Sequence, residues 1–569
     1  MAVSANDSRA REVIDTQGRL ASERGVLDSH LQEVAEFVDP TRAEFTGKKE
    51  EGDKRTQRQF DSTAPLALSR FASAIDGMVT PRTQKYQGLV AADPYVDRIP
   101  AVRVWLEGAR DLIFRMRYAP SANFAQQANE VYMSLGAYGT APMFVMKAPG
   151  MAAGLPDMRY RSLTLAECYI DEDFTGRVDR MHRKFELTAR QCVQQFGESN
   201  LPEKILAAAK KNDNKKFEII HCTKPNTDID KRRRDYRGMK FSSYYVALEE
   251  QSIIQEGGYR VFPYAVPRYM TAPREKYGRS PAMQVLPDIK MLNEMAKTII
   301  RAAHKQVDPP LLLRDDGVLS AFATRPGALN MGGVDSQVRQ MVVPLQNGAN
   351  IGLGIELQDQ LRKSINDAFL VSLFQILVET PEMTATEAAI RAQEKGQLLA
   401  PSMGRIQSEF TGPITEIEMD ALAQSGMLER ILGPMPPELA EIGGEYAVTY
   451  DSPLTQAQNA QEGVAILRTL DSVATVAQID PQAAGQVIKA FKLPEIARDL
   501  ARINGMSMRL MNTEEEVAAI LEGEQEQAQI AQLTAVAPEA ARAAKDFALA
   551  EQIAGQATRT AIPGAQIRA

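Results

Sequence analysis

Between Asp288 and Lys305 two kinds of residue alternate with the period of an α-helix, and this narrows most what the chain can fold into. Ile289, Leu292, Ala296, Ile299 and Ala303 fall on one face, and Lys290, Glu294, Lys297, Arg301 and Lys305 on the other. Asp308-Pro309-Pro310 stops this helix, because proline lacks an amide proton and clashes with the preceding turn. A second helix is predicted from about Ile355 to Val378, with Leu357, Leu361, Ile365 and Phe369 in register. The residues between them read as short strands. Leu311 to Leu313 and Val318-Leu319 flank a tight turn at Asp315-Asp316-Gly317, and Val338 to Leu345 is a further strand. Two long helices therefore bracket a small β-containing module.

The remaining segments are mostly helical. Val13, Leu20, Leu27 and Val34 recur every seventh position, with Leu31 and Val38 on the neighbouring line, which predicts a helix from Arg9 to Val38 ended by Asp39-Pro40. An exposed loop from Thr46 to Gln59 leads to a helix that Ser62 or Thr63 is expected to cap, with Pro65 in its first turn. Helices are also expected over Val102–Met116 and Ala122–Leu135. After Pro142 the texture becomes β-rich, with predicted strands at Pro142–Met146, Phe217–Cys222, Phe241–Leu248 and Tyr259–Ala265 that form a small antiparallel sheet. A capping-box pattern at Thr384–Glu387 opens a long helical region to about Leu432, bent or broken at Gly404 and Gly412-Pro413. Gly433-Pro-Met-Pro-Pro437 reads as a linker, Tyr446–Tyr450 as a short strand, and Gln456–Met511 as helical. Beyond Glu514 the Ala-, Gln- and Glu-rich tail has too few large apolar groups to bury much, so a marginal helix or disorder is expected.

A chain of 569 residues holds roughly three or four cores at about 150 residues per domain. The fold class is mainly α with a smaller antiparallel β part. A net charge of -7 argues against wholesale coating of nucleic acid, because phosphate affinity comes from clustered Lys and Arg releasing counterions. Cys168, Cys192 and Cys222 lie too far apart for a CxxC-type pair, so redox and zinc-ribbon roles are set aside in favour of reduced structural thiols. The N-terminus carries no apolar leader, and the run Ala368–Val378 is too short to span a bilayer, so cytosol-like conditions are expected.

Chemistry is sparse. No two of His30, His182, His221 and His304 are close in sequence, and no nucleophile elbow or HExxH motif is present; neither a catalytic nor a metal site, nor a cofactor, is expected. Asp171-Glu172-Asp173 reads as a surface turn after the strand Cys168–Ile170 in preference to a divalent-cation site, since adjacent carboxylates repel and point apart. Lys231-Arg-Arg-Arg234 reads as a solvated hairpin tip in preference to a nucleic-acid patch, its field diluted by Asp228, Asp230 and Asp235. Gly348-Ala-Asn-Ile-Gly352-Leu-Gly354 follows a predicted strand and opens a helix, a context in which amides can cradle phosphate. It lacks the third glycine of a dinucleotide fingerprint and the Lys-Ser/Thr of a Walker A loop, so a flexible start to the helix is preferred over a nucleotide-binding enzyme.

The block Gln57-Arg-Gln-Phe-Asp-Ser-Thr-Ala-Pro-Leu-Ala-Leu-Ser-Arg-Phe-Ala-Ser, continued by Met78-Val-Thr-Pro, resembles the N-terminal signature of podovirus head-to-tail connecting, or portal, proteins. So do Tyr277-Gly-Arg-Ser-Pro281 before the first long helix, Val307-Asp-Pro-Pro-Leu311 after it, and Met383-Thr-Ala-Thr-Glu-Ala388. The resemblance runs from about Arg9 to Met511. It implies a wing over 1–287, a first stem helix over 288–306, a clip over 307–350 and a second stem helix over 351–378. A tunnel loop at Glu379, Thr380, Pro381, Glu382 and Met383 would follow, then a long kinked helix over 384–443, a crown over 444–512, and a helical barrel or disordered tail over 513–569. It also implies a non-enzymatic dodecamer at the capsid portal vertex, assembled in the host cytoplasm. The expected partners are double-stranded DNA in the channel, a terminase large subunit, capsid and scaffolding proteins and a tail adaptor, with no membrane insertion. Another oligomeric virion scaffold or tail protein is the alternative.

A ring turns every residue into a belt of identical residues, so a few cations at the bore give strong local charge while the protein stays acidic. Lys297, Arg301, Lys305 and Lys363 are the expected DNA-channel residues. The alternative placement for such charges is between neighbouring subunits or on the outer surface of the stem.

Overall fold

Arg24 stands in the middle of a long amphipathic helix, yet it is buried. It lies in α1 (Ala5–Val38), where its guanidinium donates to the carbonyls of Leu165 at 2.7 Å and Ala166 at 3.0 Å and pairs with Asp28 at 2.7 Å. The apolar stripe of α1, including Val13, Leu20, Leu31, Val34 and Val38, is buried around it. The computed structural model describes residues 5–371, 403–450, 463–472, 491–503 and 516–527, apart from 48–49, 51, 83, 153, 212–213, 231, 234, 314–322, 324, 326, 331–332, 335–336, 338, 346–350 and 526. The chain divides into two units, Met1–Asp97 with Trp105–Gln461, and Arg98–Val104 with Glu462–Ala569. The second unit contributes helical residues at 463–472, Leu493–Ile503 and 516–525.

In the first unit, α2 (Thr63–Val79) and α4 (Phe124–Tyr138) pack closely, and Trp105–Arg117 of α3 (Pro100–Arg117) precede α4. Gly136 permits that approach: a Cβ there would stand 2.7 Å from both Leu68 and Phe71. Neither Ser62 nor Thr63 caps α2 through its side chain, as the sequence suggested. Asp61 does so instead, its carboxylate accepting from the Thr63 amide at 2.8 Å.

The β-part is larger than the sequence implied. A three-stranded sheet orders β3 (Leu155–Ser162), β2 (Met143–Ala152) and β9 (Tyr264–Ala265). A five-stranded antiparallel sheet orders β4 (Cys168–Glu172), β5 (Val178–Thr188), β6 (Lys216–Pro225), β7 (Phe241–Ala247) and β8 (Ser252–Tyr259). Alternation along β6 divides the cores. Ile219 joins Phe185, Phe196 and Phe217 under α5 (Ala189–Phe196) and α6 (Glu203–Lys210), while Ile220 and Cys222 meet Ala10 and Val13 of α1 on the other face. The expected strand Tyr259–Ala265 is divided, because β8 ends at Tyr259 and only Tyr264–Ala265 pairs again, with β2. The expected turn at Asp171–Asp173 is also revised. Asp171 and Glu172 belong to β4 and pair with Lys276 and Arg268, and Asp173 alone makes the turn by accepting from the Thr175 and Arg177 amides.

After α7 (Pro281–Gln284) come α8 (Leu286–Val307), β10 (Leu311–Leu313), β11 (Val342–Pro344) and α9 (Ile351–Ala368). The predicted strand Val338–Leu345 is thus trimmed to three residues, and the Asp315–Gly317 turn lies outside the described residues. Helix α9 is shifted from its predicted span. It starts at Ile351 and closes at Ala368, with Leu370 at a φ of 59° and Phe369 buried edge-on against Phe71. The expected continuation over 372–378 lies outside the described residues. Of the predicted long helix, residues from 403 are described and pass straight through Gly404. They form a π-helical turn at Gln407–Thr411 ahead of Gly412-Pro413, then α10 (Gly412–Gln424), a break at Gly426 and α11 (Met427–Leu432). Proline's missing amide accounts for the widened turn. A short helix, α12 (Pro437–Glu441), precedes β12 (Tyr446–Tyr450), which pairs antiparallel with β1 (Gln87–Ala91). The Lys231–Arg234 run lies between β6 and β7, where exposed Arg233 pairs with Asp235 at 3.0 Å.

The segments before and after the α8–α9 hairpin are tied by a buried ion pair. Arg117 and Glu418 are both fully buried, with guanidinium-carboxylate contacts of 2.6 and 2.9 Å, and Arg117 also donates to Tyr86 at 2.8 Å and Thr415 at 3.0 Å. Burial opposes the Arg117 charge, but the Glu418 carboxylate holds it firmly protonated. Arg117→Met should therefore strand a buried carboxylate and lower stability by about 3–5 kcal/mol. Thermal unfolding should show that loss, with most of it recovered in Arg117→Met/Glu418→Met; an unchanged single variant would contradict the pairing.

Two buried histidines generate a second expectation. His221 is stacked on Tyr245 with centroids 4.1 Å apart and contacts Ser243 at 3.0 Å, while His182 contacts Cys222 Sγ at 3.2 Å. Desolvation, assisted by Arg183 for His221 and Arg180 for His182, lowers each from 6.5 to about 3. The unfolded chain binds protons that the native state refuses, so this stability is complete above pH 6.5 and is lost as pH falls from there toward 3. The unfolding temperature should fall between pH 6.5 and 5, and His182→Asn/His221→Asn should flatten that slope. A slope unchanged by the substitutions would contradict it.

Candidate functional site

The helices α8 and α9 form an antiparallel hairpin with charged residues along their exposed edges. The Tyr277–Pro281 segment sets its start. A Cβ at Gly278 would collide with the backbone of Gly139, itself at a φ of 74°, and the Gly278 amide donates to Thr140 Oγ1 at 2.7 Å. Ser280 then caps α7, accepting from the Met283 amide at 3.0 Å and donating to the Ala137 carbonyl at 2.8 Å. Pro287 and Asp288 occupy the first turn of α8, positions suited to a fixed φ and to the positive end of the helix dipole.

The base of the hairpin is held by the Gln57–Phe60 segment and Asp61. Buried Asn293 on α8 accepts from the Phe60 amide at 2.7 Å and donates to the Arg58 carbonyl at 2.8 Å. Arg362 on α9 reaches Asp61 at 2.9 Å, and the same carboxylate caps α2. Burial alone would raise the Asp61 carboxyl; the Thr63 hydroxyl and amide, helped by Arg362, more than offset that and hold it below the usual range. Ile289, Leu292, Ala296 and Ile365 are buried between hairpin and base.

Two cross-points fix the antiparallel register of α8 on α9. Ser364 Oγ donates to Asp288 at 2.9 Å, and a Cβ on Gly354 would stand 2.9 Å from Ile299 Cδ1. Gly354 is therefore a close-approach residue inside α9, while Gly352 is an exposed residue at the start of the same helix; 348–350 lie outside the described residues. At the far end Asp308 stops α8, and β10 pairs with β11 in the register Leu311↔Pro344, Leu312↔Val343 and Leu313↔Val342.

Of the expected channel residues, three lie along one edge of α8 and one lies on α9. Lys297 pairs with Glu294 at 3.1 Å and rests 5.6 Å from the centroid of the Phe60 ring. Arg301 and Lys305 continue the same line, exposed and without a side-chain partner among the described residues. Lys363 is exposed on the outer edge of α9, among Glu356, Asp359 and Asp367. The expected tunnel loop, Glu379 to Met383, lies outside the described residues. Sequence reasoning missed Asp61, Asn293 and Arg362, whose roles depend on contacts across more than two hundred residues; only the position of Asp61 two residues ahead of Thr63 offered a local signal.

Among the described residues no three His, Cys, Asp or Glu side chains converge as metal ligands, and no helix is long and apolar enough to cross a membrane. Burial pushes the thiols of Cys168 and Cys222 up to about 12 and that of Cys192 to about 11, so all three are unreactive at neutral pH.

Comparison with known proteins agrees over nearly the whole chain. It is 28% identical over 544 residues to the "Probable portal protein" of Bordetella phage BPP-1, covering 94% of each chain. It is 25% identical over 553 residues to the "Portal protein" of Salmonella phage epsilon15, covering 95% of each. A chain from the virion of a native gene transfer agent particle aligns with 77% of this chain and 94% of its own, at 11% identity and a TM-score of 0.33. A family model described as bacteriophage head to tail connecting protein matches residues 10–511, and the chain belongs to that family.

Proposed function

We propose that this chain is one subunit of a portal ring that sits at a capsid vertex and conducts double-stranded DNA during packaging and ejection. The observation that carries the reading is the match of the family across 10–511, together with two relatives named as portal proteins and covered almost end to end. The hairpin fits the role physically. Met291, Ile300, Leu353, Ile355 and Leu357 on its helices, and Leu312 and Val343 on the β-pair beyond them, are large apolar side chains left in solvent by a single copy. Surfaces of that kind call for a partner, and identical copies joined head to tail around an axis close into a ring.

In this reading the role is structural. The fuel for packaging comes from a separate terminase that docks on the β-pair end, followed by a tail adaptor, and capsid and scaffolding proteins surround the wing. A net charge of -7 suits a conduit, because DNA must slide without being held by a dense phosphate-binding surface. The copy number of twelve rests on the family resemblance alone.

Negative-stain imaging of the purified chain tests the proposal. It should show rings with a central pore wide enough for duplex DNA. Monomers at high concentration, or closed particles with no pore, would overturn it.

A further inference from the structure

Helices α8 and α9 spend their inner faces on each other, and their outer edges carry opposite charge. On α8, Lys290, Lys297, Arg301 and Lys305 follow one line at helical spacing, interrupted by Glu294 alone. On α9, Glu356, Asp359 and Asp367 recur at spacings of three and eight with Lys363 among them. Part of this charge is satisfied within the subunit: Lys290 pairs with Glu33, Lys297 with Glu294, and Asp359 with Arg362. Arg301, Lys305 and Glu356 are exposed and have no side-chain partner among the described residues.

We infer that the basic edge of α8 docks on the acidic edge of α9 of a second copy of this chain, with Arg301 and Lys297 facing Glu356 across the contact. The inference rests on the ring reading above. The register supplies the pairing. Contacts of Asp288 with Ser364 and of Ile299 with Gly354 place Lys297 level with Glu356 along the hairpin, and Arg301 about one turn further on. Rotation about a ring axis carries each residue to its neighbour at the same height, so levels within one copy are also levels between copies when the hairpin runs along the axis.

This assigns the line through Lys297 and Arg301 to the contact between subunits, and duplex DNA becomes the competing occupant. Phosphates would be drawn to a basic edge whether or not an acidic edge stood opposite, so DNA leaves the carboxylates of α9 without a role. Docking of a neighbouring copy uses both edges. A head-to-tail contact needs two different surfaces on each subunit, and the hairpin offers one of each sign.

The test is a charge swap in the full-length chain, read as the fraction of protein in rings by sedimentation velocity across a concentration series. Arg301→Glu and Glu356→Arg should each raise the concentration needed for half assembly by about tenfold, and the double variant should return close to the unaltered protein. Both positions are exposed, and recovery in the double variant shows that the singles are folded. Single variants that assemble like the unaltered chain, or a double variant worse than either, would overturn the inference while leaving the ring intact. The same holds if Arg301→Glu assembles normally but loses salt-dependent retention of a linear duplex, which would place this edge on the DNA. An unaltered chain that forms no rings would instead overturn the portal reading itself.

Discussion

The antiparallel contact between α8 and α9 is the constraint on which the rest of the molecule turns. It is narrow, because Gly354 brings backbone against the Ile299 side chain, and it is pinned at its base where Ser364 meets Asp288. Once the inner faces are committed to each other and the lower faces to the Arg58–Asp61 segment, only the outer edges and the upper face remain. Those surfaces carry Arg301, Lys305 and Glu356, which have no side-chain partner among the described residues, and the solvent-exposed leucines. The hairpin thus has the properties of a part made to be completed by other copies.

Such a hairpin is useful only if both its ends leave a rigid base. The chain secures this by joining segments on either side of it: β1 pairs with β12, Arg117 with Glu418, and Arg268 with Glu409 at 2.6 Å. Each link spans well over a hundred residues. Arg268 also donates to the Glu172 carboxylate and to the Gly176 carbonyl, the latter at 2.9 Å, so the π-helical turn carrying Glu409 is locked to the five-stranded sheet. Buried ion pairs contribute little net stability against apolar replacements, but breaking one partner is costly, and that asymmetry specifies which segments meet.

The helices were the legible part of this fold because their signal is local. The stripe Ile289, Leu292 and Ala296 is buried as its spacing required, and α1 runs to Val38 before Asp39-Pro40. Strand β5 escaped notice because His182 and Arg183 are buried beside Met181, which destroys the alternation that marks a strand. The close of α9 near Ala368 was also hidden, since it follows from Phe369 turning into the Phe71 side chain, a contact with no trace in the local pattern. At the hairpin the basic line of α8 could be read directly. Its counterpart on α9, the anchoring Asn293 and the close-approach role of Gly354 could not, because each is defined by a residue remote in sequence.

Cross-linking tests the central claim most directly. In a chain carrying Lys297→Cys and Glu356→Cys, the pair that the register sets level, mild oxidation of the assembled protein should give a ladder of covalent oligomers on a denaturing, non-reducing gel, while the buried Cys168, Cys192 and Cys222 stay reduced. The ladder should vanish when either substitution is made alone. Monomer bands only, from protein that sediments as rings, would contradict the account of how these hairpins meet.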